Sequence, residues 1–291
     1  MRSFRFVTAD VFTRTALEGN QVAVITDARG LSDAEMQALA RETKFSETTF
    51  VIPRDPAIER ERGVKLRIFT VEEELPFAGH PTLGTAYVLR GSSGANEIAL
   101  DLAVGRIPVA FSQRDGAVFG EMTQRDPQFG QLHDPAEVAR VTGLKTADLD
   151  SDLPIETVTT GNAFAIVPVR SLAAIRELSL EWRRAAEYLK DTDAIFFYFV
   201  TRDTGSAARL HARMIFYGGE DPATGSAAGP AAAWMVKHGV AKSGEQVMIE
   251  QGIEARRPSQ IFVRATRTDA GIRDVRVGGY VVEVMRGEIF L

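Results

Sequence analysis

Three stretches of the chain carry side chains that could do chemistry together. The first, residues 74–89, reads Glu-Leu-Pro-Phe-Ala-Gly-His-Pro-Thr-Leu-Gly-Thr-Ala-Tyr-Val-Leu. Pro81 suits the first helical position, where a missing N–H costs nothing. Gly79 lets the backbone come close to whatever sits above the Gly79-His80-Pro81 corner. A helix that starts there leaves its first N–H groups unpaired, and these donors, with the helix dipole, attract an anion. The second stretch, Gly218-Gly219-Glu220-Asp221-Pro222-Ala223-Thr224-Gly225-Ser226, precedes an Ala-rich run to Val236 and repeats the design. Two such starts suggest two half-sites for one carboxylate-bearing ligand; two ordinary capped helices would give the same pattern. The third is Glu47, whose neighbours are Ser46, Thr48 and Phe50 rather than the Lys and Arg of a solvated charge. It is either exposed on a strand edge or placed for chemistry.

The elements around these stretches follow from periodicity. Val64, Leu66 and Ile68 alternate with Lys65, Arg67 and Phe69, a strand feeding the first corner. Leu83, Ala86, Tyr87 and Arg90 then keep helical spacing, predicting a helix over 81–90. Leu210, Ala212, Met214 and Phe216 predict one strand before the second corner, with a helix over 226–237 in which Pro230 lies near the end of the first turn. Ser32 and Glu35 form a capping box for a helix ending near Thr43. Strands are expected at 4–8, 21–25 and 45–52, while 55–62 reads as a charged loop. Three meander strands follow at 98–102, 106–111 and 117–122. The break at 126–130 marks a boundary, giving domains of 1–124 and 125–280. Gly278-Gly279 reads as a bend or bulge in the last strand. Residues 45–53 echo residues 160–168, which suggests a duplicated unit with a site between the copies. Asn20 and Asn162 read as turn residues.

The 291 residues are 45% apolar and 25% charged, an ordinary globular composition. A net charge of −5 and a pI near 5.6, with basic clusters no longer than pairs, argue against nucleic acid as a partner. No stretch approaches a membrane span, and the start runs into a strand rather than a signal peptide. There are no cysteines, which removes disulfides, thiolate metal sites and cysteine nucleophiles and is compatible with a reducing, cytoplasmic setting. The four histidines, His80, His133, His211 and His238, form no metal-ligand pair at helical spacing. No dinucleotide or Walker fingerprint is present, so no cofactor is expected.

A set of motifs then carries a resemblance. Asp10-Val11-Phe12-Thr13, Gly19-Asn20, Ser46-Glu47-Thr48-Thr49-Phe50, residues 74–84 and Glu220-Asp221-Pro222-Ala223-Thr224-Gly225-Ser226-Ala227 stand in the order and spacing of the phenazine-biosynthesis PhzF-like isomerases. The resemblance spans nearly the whole chain. It implies an α+β, diaminopimelate-epimerase-like fold: two similar domains, each a mixed barrel-like sheet around a central helix, with the C-terminal strand, about 281–291, returning to the first domain. It implies Glu47 as general acid/base with His80 and Asp221 beside it, in an inter-domain cleft. Gly79, His80, Gly225 and Ser226 would hold a small carboxylate substrate. Burial would raise the pKa of such a carboxylate, so that it could take and return a proton near neutral pH. It also implies a homodimer. Related epimerases use two cysteines at the helix corners, where Gly79 and Thr224 stand here. Gln21 follows Asn20 where many relatives carry proline. Plainer roles exist for each residue: His80 or Ser226 could only cap a helix, and Asp221 could be a turn residue before Pro222. A non-catalytic carboxylate-binding protein is the rival to the isomerase, and retention of Glu47, His80 and Asp221 together argues against it.

Overall fold

The computed structural model describes residues 1–216 and 219–291, apart from the side chain of Ser92. Gly218 of the second corner lies outside the described residues. Two compact units emerge, Met1–Thr123 with Gly278–Leu291, and Gln124–Val277.

The first unit contains β1 (Ser3–Val11), β2 (Asn20–Ile25), α1 (Asp33–Thr43), β3 (Glu47–Ile52), α2 (Pro56–Arg62), β4 (Val64–Phe69), β5 (Glu74–Leu75), α3 (Gly79–Arg90), β6 (Glu97–Leu102), β7 (Gly105–Arg114) and β8 (Ala117–Thr123). The second contains β9 (Gln128–Leu132), α4 (Pro135–Thr142), β10 (Glu156–Thr159), β11 (Ala163–Pro168), α5 (Leu172–Arg176), α6 (Trp182–Leu189) and β12 (Phe196–Thr201). It continues with β13 (Leu210–Arg213), β14 (Ile215–Phe216), β15 (Gly219–Glu220), α7 (Gly225–Lys237), β16 (Val247–Gln251) and β17 (Ser259–Thr268), then enters β18 (Gly271–Phe290). The last residues of β18 belong to the first unit.

In the first unit the strand order is β1-β2-β3-β4-β6-β7-β8, and β18 neighbours both β8 and β1. Its antiparallel ladder with β1 runs from Phe290 opposite Ser3 to Val281 opposite Val11. The sheet therefore closes on itself, and α3 packs inside it against β1, β2, β3, β6 and β8. In the second unit the order β9-β10-β11-β12-β13-β16-β17-β18 curves around α7, which packs on β10, β11 and β17. These are the mixed, barrel-like sheets with a central helix that the resemblance implied. The core outside α3 is Phe4, Ile25, Met36, Leu39, Phe50 and Phe69 in the first unit. In the second it includes Val138, Val167, Ile175, Leu189, Phe197 and Phe199.

The two sheets repeat one pairing pattern. β2–β3 is parallel, β3–β4 antiparallel, β4–β6 parallel and β6–β7 antiparallel. The same sequence recurs in β11–β12, β12–β13, β13–β16 and β16–β17. So β2 corresponds to β11 and β3 to β12, which corrects the pairing of 45–53 with 160–168. Buried strands share apolar composition whatever their place, and that likeness misleads. The true echo is Gly19-Asn20 before β2 and Gly161-Asn162 before β11.

Other expectations change for local reasons. Residues 55–62 are mostly helix: the Asp55 side chain accepts from the Ala57 N–H and Pro56 sits in the first turn. The helix buries no residue, so it shows no apolar face for periodicity to detect. The strand expected over 210–216 is split at Met214 into β13 and β14. Pro230 stands inside α7, beyond its first turn. The capping box of Ser32 and Glu35 forms as expected. Gly278 does not break β18; a Cβ there would lie 2.6 Å from the Gly120 carbonyl oxygen, so the residue serves close approach.

Gly252 combines two constraints: a φ of +79° and a Cβ position 2.4 Å from both the Pro222 and Arg257 carbonyl oxygens. Gly30 has a φ of +88° but open space around it. Gly30→Ala should therefore cost about 1 kcal/mol, and Gly252→Ala roughly 3 kcal/mol or more because backbone must also move. Urea unfolding of both variants checks the difference.

Candidate active site

Glu47 is the first residue of β3, and β3 lies between β2 and β4. Val22 stands opposite it in the parallel ladder, and its side chain is only 14% exposed. The strand-edge reading is thereby corrected. Alternation along β3 puts Glu47 on the face of Thr49, whose hydroxyl meets that of Thr85 on α3 at 2.9 Å. Phe50 lies on the opposite face, in the core with Met36 and Leu39 of α1. Its ring therefore lies away from the carboxylate.

The central helix α3 begins at Gly79, two residues before the expected Pro81, with Ala78 as its N-cap. Ala78 has no side chain to cap with, and Pro81 has no N–H. Among the described residues nothing accepts from the N–H of Gly79 or His80. His80 is thus not a helix cap: its ring turns away to other partners. Nδ1 lies 3.1 Å from the Asn20 amide nitrogen, and Nε2 lies 3.1 Å from the Gln21 carbonyl oxygen. Nε2 is also 3.3 Å from Glu47 Oε2. Burial pushes the imidazole pKa down to about 3, against a smaller upward effect of the Gln21 carbonyl. The ring is neutral across the physiological range. The first unit thus brings Glu47, Gly79 and His80 together, with Asn20 beside them.

Asn20 was expected as a turn residue. It instead opens β2, 1% exposed, with its amide on His80. The signal that could have found it is the Gly-Asn pair repeated before β11, visible only once the correct strands are matched.

The second unit brings Asp221, Gly225 and Ser226 together at the start of α7, which Thr224 precedes without a side-chain cap. Ala227 and Ala228 N–H groups return to the Thr224 carbonyl at 3.0 and 2.9 Å. Among the described residues nothing accepts from the Gly225 or Ser226 N–H. Asp221 Oδ2 accepts from the Thr224 hydroxyl at 2.6 Å. The loop is held by Gln251, fully buried, which donates to the Asp221 carbonyl at 2.7 Å and to Thr224 Oγ1 at 2.9 Å. Its own oxygen accepts from Thr224 N–H and from the Tyr198 hydroxyl. Burial, with the nearby Asp221 charge, raises the Tyr198 pKa and keeps that hydroxyl a donor. Gln124 donates to the Gly225 carbonyl at 2.9 Å and accepts from Thr160 at 2.6 Å. Glu220 is clamped by Arg213 through two bonds of 2.9 and 2.7 Å, so it anchors the loop beside Asp221. Neither glutamine was singled out from the sequence, because an isolated Gln carries no local pattern.

The duplication is chemically one-sided. Val22 faces Glu47 across β2–β3, and the corresponding pair across β11–β12 is Phe164 with Phe196. The place of the carboxylate is apolar in the second unit. Likewise Gly79-His80 corresponds to Gly225-Ser226. Each unit keeps an uncapped helix start for an anion, while only the first places a carboxylate strand beside its helix start. Among the described residues no group of His, Cys, Asp and Glu is arranged to hold a metal ion, and no helix is long and apolar enough to cross a membrane.

The family model for the phenazine biosynthesis-like proteins, PhzC-PhzF, matches residues 9–287. The chain belongs to this family. A trans-2,3-dihydro-3-hydroxyanthranilate isomerase of Pseudomonas aeruginosa is 35% identical over 291 residues, covering 99% of both chains. An uncharacterised isomerase of Mesorhizobium japonicum is 35% identical over 305 residues, with both chains fully covered. The chain is accordingly a PhzF-family isomerase. Among solved structures, a PhzF-family protein of Bacillus anthracis superposes with a TM-score of 0.88 at 27% identity, each chain covered completely. A probable proline racemase of Agrobacterium radiobacter shares the fold, with a TM-score of 0.65 at 12% identity over 99% of this chain and 93% of the other.

The depressed His80 pKa has a thermodynamic consequence. On acidification from pH 6.5, the unfolded chain takes up the imidazole proton first, and the folded protein follows only near pH 3. Stability contributed by the neutral ring is whole above pH 6.5 and is lost as the pH falls toward 3. His80→Gln should remove about one proton from the acid dependence of unfolding. Urea denaturation between pH 7 and pH 4 should show a shallower decline for the variant than for the wild type.

Proposed function

We propose that this PhzF-family isomerase moves a proton between two carbons of a small carboxylic acid, with Glu47 as the group that removes the proton and returns it. His80 and Asp221 stand beside the reacting groups, and the N–H groups of Gly79, Gly225 and Ser226, with the Ser226 hydroxyl, hold the substrate carboxylate. The observation that carries the reading is the buried Glu47 carboxylate 3.3 Å from the His80 ring, at a helix start without a cap. A carboxylate can take a carbon-bound proton when the charge left behind meets preorganised donors. That the strand position of Glu47 is held by Phe196 in the second unit favours one strand carboxylate acting twice over a matched pair of them. The relatives named for trans-2,3-dihydro-3-hydroxyanthranilate make that compound the first to test, followed by other small cyclic and amino carboxylic acids.

In deuterated water the protein should convert or label its substrate, with deuterium appearing at the carbon that receives the proton. Chelator should leave the rate unchanged. Glu47→Gln should lower turnover by roughly a hundredfold or more, the scale for losing a general acid/base, while carboxylate binding by calorimetry stays nearly intact. Turnover of Glu47→Gln near the wild-type rate would show that another group carries the proton.

A further inference from the structure

His80 is read at both ring nitrogens by two consecutive residues. Asn20 and Gln21 open β2 and lie opposite Val11 and Asp10 of β1, so their backbone is fixed by the sheet. The Gln21 carbonyl oxygen can only accept, so the nitrogen 3.1 Å from it, Nε2, must carry the hydrogen. In a neutral ring Nδ1 then has a lone pair. Asn20, 3.1 Å away, must therefore present its NH2 there rather than its oxygen. The ring is only 4% exposed, which leaves little room for water to take either place.

We infer that Asn20 is a positioning residue that, with the Gln21 carbonyl, locks His80 as the Nε2–H tautomer, so that the imidazole offers Glu47 no free lone pair and does not relay the proton. The geometry gives both halves of this statement. Nε2 already bears a hydrogen, which it gives to the Gln21 carbonyl, so although Glu47 Oε2 lies 3.3 Å away the ring nitrogen cannot accept a proton from the carboxylate. The only lone pair of the ring, at Nδ1, is occupied by the Asn20 amide. The low pKa set by burial removes the remaining route, a doubly protonated ring. A proton that Glu47 takes up therefore has no ring nitrogen within reach to pass to, and stays on the carboxyl group. The consequence for Glu47 rests on the role proposed for it above; the tautomer lock does not.

The test needs no substrate. Protein labelled with nitrogen-15 at histidine, read by long-range proton–nitrogen correlation, reports the tautomer of each ring. His80, assigned by the signal lost in His80→Gln, should show a protonated Nε2 and an unprotonated Nδ1, unchanged from pH 5 to pH 8. Asn20→Asp puts an acceptor opposite Nδ1 and should move His80 to the Nδ1–H form or to the cation. Asn20→Ala should leave the ring averaging between tautomers. Unchanged signals of His133, His211 and His238 confirm that each variant is folded. With a turned-over substrate, Asn20→Asp should lower kcat by roughly tenfold or more, with KM little changed. A wild-type His80 found as the Nδ1–H form or as the cation at pH 7 overturns the inference, as does an Asn20→Asp spectrum with the wild-type pattern. If the spectra come out as expected but Glu47→Gln remains active, the tautomer lock stands and the assignment of Glu47 falls.

Discussion

The structure depends on burying one helix on all sides inside a curved sheet. An ordinary amphipathic helix hides one face, whereas α7 is buried from Gly225 to Val236 except at Ser226, and α3 from Gly79 to Ala86. Such a helix must be thin. Five of the thirteen residues of α7 are alanines, and Gly84 of α3 leaves no space for a Cβ, which would lie 2.7 Å from the Val22 side chain. Gly229 is under the same constraint, since a Cβ there would fall 1.9 Å from Gln124 Oε1. A helix enclosed along its length satisfies its own backbone. Its first turn is where unpaired donors remain, and in both units neither Ala78 nor Thr224 supplies a cap. The uncapped ends are a by-product of the enclosure.

On this common frame the two units reach different polar solutions. The first uses a carboxylate, a neutral imidazole and an asparagine, all nearly dry, so each contact sets a protonation state. The second uses Gln251 and Gln124 to fix the backbone of its loop, with Thr224 orienting Asp221. Amides do not titrate, so the hold of Gln251 and Gln124 on this loop does not depend on pH. The substitution of Phe196 for a glutamate at the matching strand position is the clearest mark of that division.

Most of this was legible in the sequence where residue type and spacing act locally. The capping box at Ser32, the two corners with their helices and the meander over β6 to β8 follow from short-range rules. What escaped was set by distant neighbours. Asn20 looks like a turn residue until β2 is laid beside α3. Glu47 reads as an edge charge because its two flanking strands come from residues 20–25 and 64–69. The helix over Pro56–Arg62 was missed because it buries nothing, and Pro230 is tolerated inside α7 because packing around that helix outweighs one lost backbone bond. The family resemblance supplied what periodicity could not, namely the closed sheets and the pairing of distant motifs.

The last strand imposes an order on how the protein is made. Residues 278–291 complete the ladder with β1, whose own residues leave the ribosome long before them. Until residues 278–291 have been made, β1 has β2 on one side and an open edge on the other, and α3 has an unfinished wall. Only the short first part of β18, up to Val277, separates the second unit from completeness, so it can fold while the final stretch is still emerging. The unit that bears Glu47 and His80 is thus begun before the other and finished after it. An exposed β1 edge in a nascent chain is a template for pairing with another chain. A shortened C-terminus would leave that edge open for good, and aggregation, rather than a merely inactive enzyme, is the fate this architecture assigns to it.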